Sequence, residues 1–304
     1  MLRAMYTSIT GLRNHQTMLD VVGNNIANVN TYGYKGSTTA FKTLLTQTMQ
    51  GAGAPSPTLG GTNFQQVGLG MTIDSISQQF TQGALQTTGV NTDLGIQGDG
   101  FFNVTNDPTN LATNTAELAY TRAGNFKFDA TGTLVTSDGQ FVVGYQDADG
   151  AVAGFQLNVA ATPAPGVSPE GVITLPPNLY SDVIIGNDGT VSGIFNDGTG
   201  AANPLNGTRQ TVAQIKMSRF SNPSGLQQVG NNRWQESLNS GQPVDNVPQV
   251  NGLGQLSVGY LEMSNVDLAT EFTEMIKAQR GFQANSRVIT TSDEILQELV
   301  NLKR

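Results

Sequence analysis

His15 is the single histidine, and there is no cysteine. Imidazole and thiolate are the side chains that most often serve as base, nucleophile or metal ligand near neutral pH, so their scarcity narrows the chemistry open to the chain. His15 sits between Asn14 and Gln16 on the polar side of a helix-like stretch. A Ser-His-Asp relay would require that stretch to line a cleft. A solvated or interface histidine is the better reading. QDADG at 146–150 has the spacing that opens a calcium loop, but the closing Glu is missing and Asn158 stands in its place. A turn accounts for it. GNDGTVSGIFNDGTG at 186–200 repeats an NDGT unit without the strand-to-helix setting of a phosphate loop, and it reads as two hairpin turns. No pair of carboxylates stands apart from turn roles as a glycosidase acid and base. The residues nominate no catalytic site, no metal site and no cofactor site.

Composition points the same way. Charged residues are 12% of the 304, about half of the roughly 25% usual in soluble proteins. The net charge of −8 disfavours nucleic acid, which needs clustered Lys and Arg. No run of about 18 apolar residues exists to span a membrane. MLRAMYTSITGLRNHQTMLD carries neither an apolar core nor a small-residue cleavage site, so secretion is expected to proceed without a cleaved signal.

What remains to be positioned is a pair of helices. Leu268, Met275, Phe282, Ile289 and Leu296 stand seven apart, with Phe272 and Val300 at the ends of a second column diluted by Gln279, Ser286 and Asp293. Such a seam marks a helix that packs along another helix. Over Val266 to Arg304 it would be roughly 55 Å long, more than a small domain covers. The other chain end supplies a partner: Met5, Leu12, Leu19 and Ile26 repeat every seven residues, with Leu2 and Ile9 in the offset column. Asn24, Asn25, Asn28 and Asn30, then Gly33 and Gly36, stop that helix. Ser264 with Asp267 is expected to cap the C-terminal one, and Gly281 is its weak point.

Between the helices the period becomes strand-like. A short amphipathic stretch, Phe41 to Met49, is followed by GAGAPSPTLGGTNFQQVGLG at 51–70, read as an extended arm that orders only against a neighbour. Short candidate strands then run from 71–80 to 254–262 and include 152–159. Asp-Gly steps at Asp99-Gly100, Asp138-Gly139, Asp149-Gly150, Asp188-Gly189 and Asp197-Gly198 suggest type I′ hairpins. The expected class is α+β: paired, coiled-coil-like terminal helices (1–32 and 264–304), a connecting arm (33–70) and an antiparallel all-β middle domain (71–263). Small insertions are expected at about 146–170 and 196–210.

NNIANVNTYGYK at 24–35 resembles the N-terminal signature of bacterial flagellar rod and hook proteins. LGIQGDGFFNV (94–104), YTRAGNFKFDATGTLVTSDG (120–139) and the stretch from Gly259 to Leu299 resemble later blocks of the same family. The signature maps onto Asn24, Asn25, Asn28, Thr31, Gly33, Tyr34 and Lys35. The resemblance implies a homopolymer in which terminal helices pair in an inner layer around an export channel, with the β domain outside. It implies type III export to the cell exterior, partners among other axial proteins (rod, hook-filament junction, hook cap) and the export apparatus, and no enzymatic activity. The ending ITTSDEILQELVNLKR and the 51–70 segment look most like a hook, the flexible joint that passes motor torque to the filament; the distal rod is the alternative within the family. A secreted, monomeric β-rich adhesin or binding module is the alternative outside it.

Overall fold

The computed structural model describes residues 2–55, 60–107, 117–146, 170–175, 180–196 and 206–302. Most of both expected insertions, the QDADG stretch, the candidate strand at 152–159 and the Asp149-Gly150 and Asp197-Gly198 steps lie outside the described residues. Two compact units emerge. Unit 1 comprises Met1–Val29, Lys35–Gln79 and Val266–Arg304, and unit 2 comprises Asn30–Tyr34 and Phe80–Asn265.

Unit 1 contains helix α1 (Leu2–Ala27), helix α2 (Leu268–Leu302) and four strands. The α2 cap is Asp267 rather than Ser264. Its carboxylate accepts the Ala269 N–H at 3.1 Å and the Thr270 hydroxyl at 2.8 Å, satisfying donors that a helix start leaves open. These bonds, the Thr270 hydroxyl first, hold the Asp267 carboxyl below its ordinary pKa. At the C-terminal end of α1, Asn28 donates its side-chain amide to the Asn24 carbonyl at 2.9 Å, closing the helix as the asparagine block predicts.

The arm is a paired structure, not a linker awaiting a neighbour. β1 (Ser37–Thr43) pairs antiparallel with β4 (Met71–Gln78), and β2 (Thr46–Gln50) with β3 (Gln65–Gly68). The ladder continues through a bridge between Gly53 and Thr62. Phe41 to Met49 is therefore mostly strand, and the β-rich unit begins at Phe80 instead of Met71, because Met71–Gln78 is matched along its length to β1. Every residue of β2 and β3 is exposed. Backbone pairing holds these strands, with no buried face to announce them.

Unit 2 holds β5 (Leu85–Thr87), β6 (Leu94–Gln97), β7 (Phe101–Thr105), β8 (Leu118–Thr121), β9 (Lys127–Phe128), β10 (Leu134–Val135), β11 (Phe141–Gln146) and β12 (Glu170–Val172). It continues with β13 (Tyr180–Ile185), β14 (Thr190–Phe195), β15 (Arg209–Ile215), β16 (Met217–Arg219), β17 (Gln227–Gly230), β18 (Arg233–Gln235), β19 (Val244–Asn246), β20 (Gln255–Val258) and β21 (Tyr260–Glu262). The largest sheet runs β13-β14-β15-β11-β7-β8-β18-β17, and every ladder among the described strands is antiparallel. β7 is buried on both faces. Phe102 and Val104 enter a core with Leu94, Ile96, Ile215 and Met217, while Phe101 joins Tyr120, Phe220 and Trp234. Phe101 and Trp234 meet edge-on at 5.8 Å, a favoured arrangement of ring quadrupoles.

The Asp-Gly steps at 138–139 and 188–189 do make turns, but only the glycines have positive φ (78° and 79°). They are therefore not type I′, which needs two such residues. The I′-like pair is Asn231-Asn232, at 50° and 53°, between β17 and β18.

A buried ion pair ties unit 2 together. Arg122 lies 3.3 Å from Glu262, with side-chain exposures of 3% and 0%. Arg122 also donates to the Gly98 carbonyl at 2.9 Å and stacks over Phe101, and Glu262 accepts the Gly83 N–H at 2.9 Å. One interaction thus links the approach to β5, the turn before β7, the end of β8, and β21. A second buried cation, Lys216, meets Asp245 at 2.8 Å. Asp245 also binds the Ser218 hydroxyl, which lies 2.7 Å from Asn103 Oδ1. A hydroxyl has one proton to give, and Asn103 Nδ2 is buried without a partner. Turning that amide over lets Asn103 donate to Ser218 and Ser218 donate to Asp245, which gives each of these two contacts its own proton.

Candidate assembly interface

The helix pair is fixed by three contacts. A Cβ on Gly11 would lie 2.6 Å from the Asn285 side-chain amide, and one on Gly281 would lie 2.6 Å from His15 Nε2. The Asn25 amide donates to Glu271 at 3.1 Å. From Gly11 to Asn25 is fourteen residues along α1, and from Asn285 back to Glu271 is fourteen along α2. The helices are antiparallel and in constant register over that span. Gly281 is thus no weak point: it makes the notch that takes the only histidine, whose ring also lies 6.2 Å from Phe41.

This register sets columns Ala4, Gly11, Met18, Asn25 and Glu271, Ala278, Asn285, Ser292 opposite one another. The buried residues of the pair are mostly small or polar: Ser8, Gly11, Asn14, Val22 and Asn25 on α1, Ala278 and Ser292 on α2. Small side chains let helix backbones approach, and the hydrophobic columns flank that seam rather than fill it. Met5, Leu12, Leu19, Ile26, Met275, Ile289 and Leu296 are half-buried. Ile9, Leu268, Phe272, Phe282 and Val300 are exposed, the last at 67%. The Leu2 side chain lies outside the described residues. Of the apolar columns read from the sequence, seven residues are thus partly covered by the described residues and five are exposed.

The signature turn divides between the units. In unit 1, Asn25 pairs with Ser37 as a neighbouring strand would, its Oδ1 accepting the Ser37 N–H at 3.0 Å and its Nδ2 donating to the Ser37 carbonyl at 2.8 Å. In unit 2, Gly33 has φ of 67° and donates its N–H to the Glu262 carbonyl at 2.8 Å. A Cβ there would lie 2.6 Å from the Ala123 nitrogen, so only glycine fits. Tyr34 and Lys35 are buried, Asn24 is exposed, and Asn28 and Thr31 are partly covered. The sequence singles out Asn25 as a helix stop; the structure adds that its bonds bind α1, β1 and α2 together. Asn25→Ala removes all three. We expect a loss of about 2–3 kcal/mol, read as a lower midpoint of helical circular dichroism.

The described residues contain no cluster of His, Asp or Glu able to hold a metal. No described helix is long and apolar enough to cross a membrane. What the geometry offers is a pair of long terminal helices whose apolar flanks the described residues leave partly exposed, on the same chain as a β unit. Residues 5–35 match the flagella basal body rod protein family, 95–193 the flagellar hook protein FlgE/F/G D1 domain, and 257–302 the C-terminal domain of flagellar basal body rod FlgEFG proteins. The chain is 47% identical to the flagellar basal-body rod protein FlgG of Bacillus subtilis over 306 residues, covering all of both chains. It is 36% identical to the FlgG of Borreliella burgdorferi over 312 residues and 30% identical to the flagellar hook protein FlgE of the same organism over 449, again covering all of each. The chain belongs to the flagellar rod and hook axial protein family, whose members are structural proteins of the flagellum and not enzymes.

Proposed function

We propose that this chain is a subunit of the flagellar rod, the straight drive shaft, rather than of the hook. The observation that carries this reading is the full-length match to FlgG at 47%, with almost no length difference, whereas the hook proteins align over 449 and 473 residues. The hook favoured by the sequence's ending and its 51–70 segment is the second reading. Both are homopolymers that join other axial proteins, and both call for export to the cell exterior through the flagellar export apparatus without a cleaved signal.

In this reading the exposed flanks of α1 and α2, including Phe272, Phe282 and Val300, are covered by neighbouring copies. Burying one such side chain contributes roughly 1.5–3 kcal/mol, so a few per subunit suffice to hold a polymer. The arm adds a second contact region. Leu45 is 80% exposed, and Met49 and Phe64 are also largely uncovered. Electron microscopy of purified full-length protein tests the assignment: straight tubes are expected, curved tubes favour the hook, and dispersed particles at high concentration overturn both. Deleting 51–66 is expected to change curvature or lower polymer yield. Tubes unchanged in shape and amount would remove the arm from the interface.

A further inference from the structure

We propose that Glu271 is an acid-responsive latch on unit 1: its charge loosens the α1–α2 pair, and neutralising it tightens the pair. The side chain sits half-buried where α1, α2 and β1 meet, and its one side-chain hydrogen bond comes from Asn25 at 3.1 Å. Asn25 is committed at the same time to both backbone groups of Ser37, so it cannot move toward the carboxylate without releasing β1.

Among the described residues no cation answers the charge. On α2 the neighbours one turn away are acids, Asp267 four residues before and Glu274 three after, a spacing at which like charges repel on a helix. The nearest basic group on that helix, Lys277, is held by Glu274 at 2.6 Å. α1 presents neutral Asn25, and its nearest charged residue, Asp20, is exposed and also acidic. The single charged residue of β1, Lys42, is bound by Asp74 at 3.2 Å. Lys35, just before β1, is buried and has other partners. The helix N-terminus favours a negative charge in its first turn, but Asp267 already takes the cap.

Burial accordingly pushes the Glu271 carboxyl above its ordinary pKa, with Glu274 and Asp267 adding to the rise and the Asn25 bond opposing it. A carboxyl raised in the folded state contributes stability that is fully present below its ordinary pKa and is lost as pH climbs through the folded value. Asp267, depressed, acts in the opposite sense and at lower pH, where stability is lost on further acidification. The two windows lie on opposite sides of the ordinary carboxylate range and are separable by titration.

The experiment uses the full chain, kept dispersed and checked by sedimentation. The Glu271 side-chain carboxyl is titrated by carbon NMR, and helical melting is followed from pH 7 to pH 5. The wild-type midpoint is expected to rise on acidification. E271Q, which keeps an oxygen to accept the Asn25 bond, is expected to melt higher at pH 7 than wild type and to lose most of that rise. E274Q, which removes a lesser cause of the elevation and leaves the burial, should keep most of the rise. E271A loses the acceptor as well and separates that bond from the charge: it should melt below E271Q. A Glu271 carboxyl titrating at or below its ordinary value, or an E271Q chain no more stable at pH 7 than wild type, overturns the proposal.

Discussion

Glu262→Ala is expected to cost unit 2 about 3–5 kcal/mol, enough to consume a large part of a typical domain's stability. The variant leaves the Arg122 guanidinium buried with only the Gly98 carbonyl and the Phe101 ring for company, and it strips the Gly83 N–H of its acceptor. The loss is therefore mainly the penalty of an orphaned charge, not the worth of the pair. The double variant Arg122→Met, Glu262→Leu tests this: it should recover a substantial share of the lost stability, because two buried charges leave together. Trp234, the only tryptophan, is 1% exposed and meets edge-on the same Phe101 that Arg122 covers. Its fluorescence in urea reports unit 2 alone, and a double variant as unstable as the single one would refute the account.

Gly124→Ala is expected to be comparably severe, about 3 kcal/mol or more. A Cβ at residue 124 would lie 1.8 Å from the Leu94 carbonyl oxygen, and backbone atoms cannot swing aside as a side chain can. The two residues are also bonded, Leu94 N–H to the Gly124 carbonyl at 3.0 Å, so moving them apart breaks the link that brings β6 into the core. Gly139→Ala is the matching control. Gly139 has φ of 78° but open space around it, so alanine there should cost only about 1 kcal/mol of backbone strain. A Gly124→Ala loss no larger than that at Gly139 would refute the close approach to Leu94 as its cause.

The helices were legible because seven-residue apolar repeats are a strong signal, and the signature asparagines marked where α1 stops. Their register was not. It is set by Gly11, Asn25, Glu271, Gly281 and Asn285, residues that a hydrophobic pattern counts as gaps. The apolar columns border the seam instead of filling it, so their spacing says that a helix packs without saying which residues meet. The arm escaped notice for a related reason: β2 and β3 bury neither face, so no alternation betrays them. β7 reads Phe-Phe-Asn-Val-Thr without alternation because both of its faces are covered. Hook against rod was beyond a physical reading, since both share the same blocks, and full-length identity and length favour the rod.

The make-up of unit 1 carries a consequence for the order in which the molecule is built. Phe80–Asn265 lies between the arm and α2, so the surfaces that α1 and α2 bury on each other belong to opposite ends of the chain. A chain made N-terminus first has α1 without its mate until α2 follows the β unit. The β unit, whose strands pair among themselves, can close earlier and shorten the distance that the last helix must bridge. Loop-closure entropy grows only slowly with length, about 0.6 kcal/mol per doubling, so the delay is chiefly one of sequence and not of energy. α2 is in this sense a timer: the helix flanks cannot be presented as a matched pair before α2 has followed the β unit.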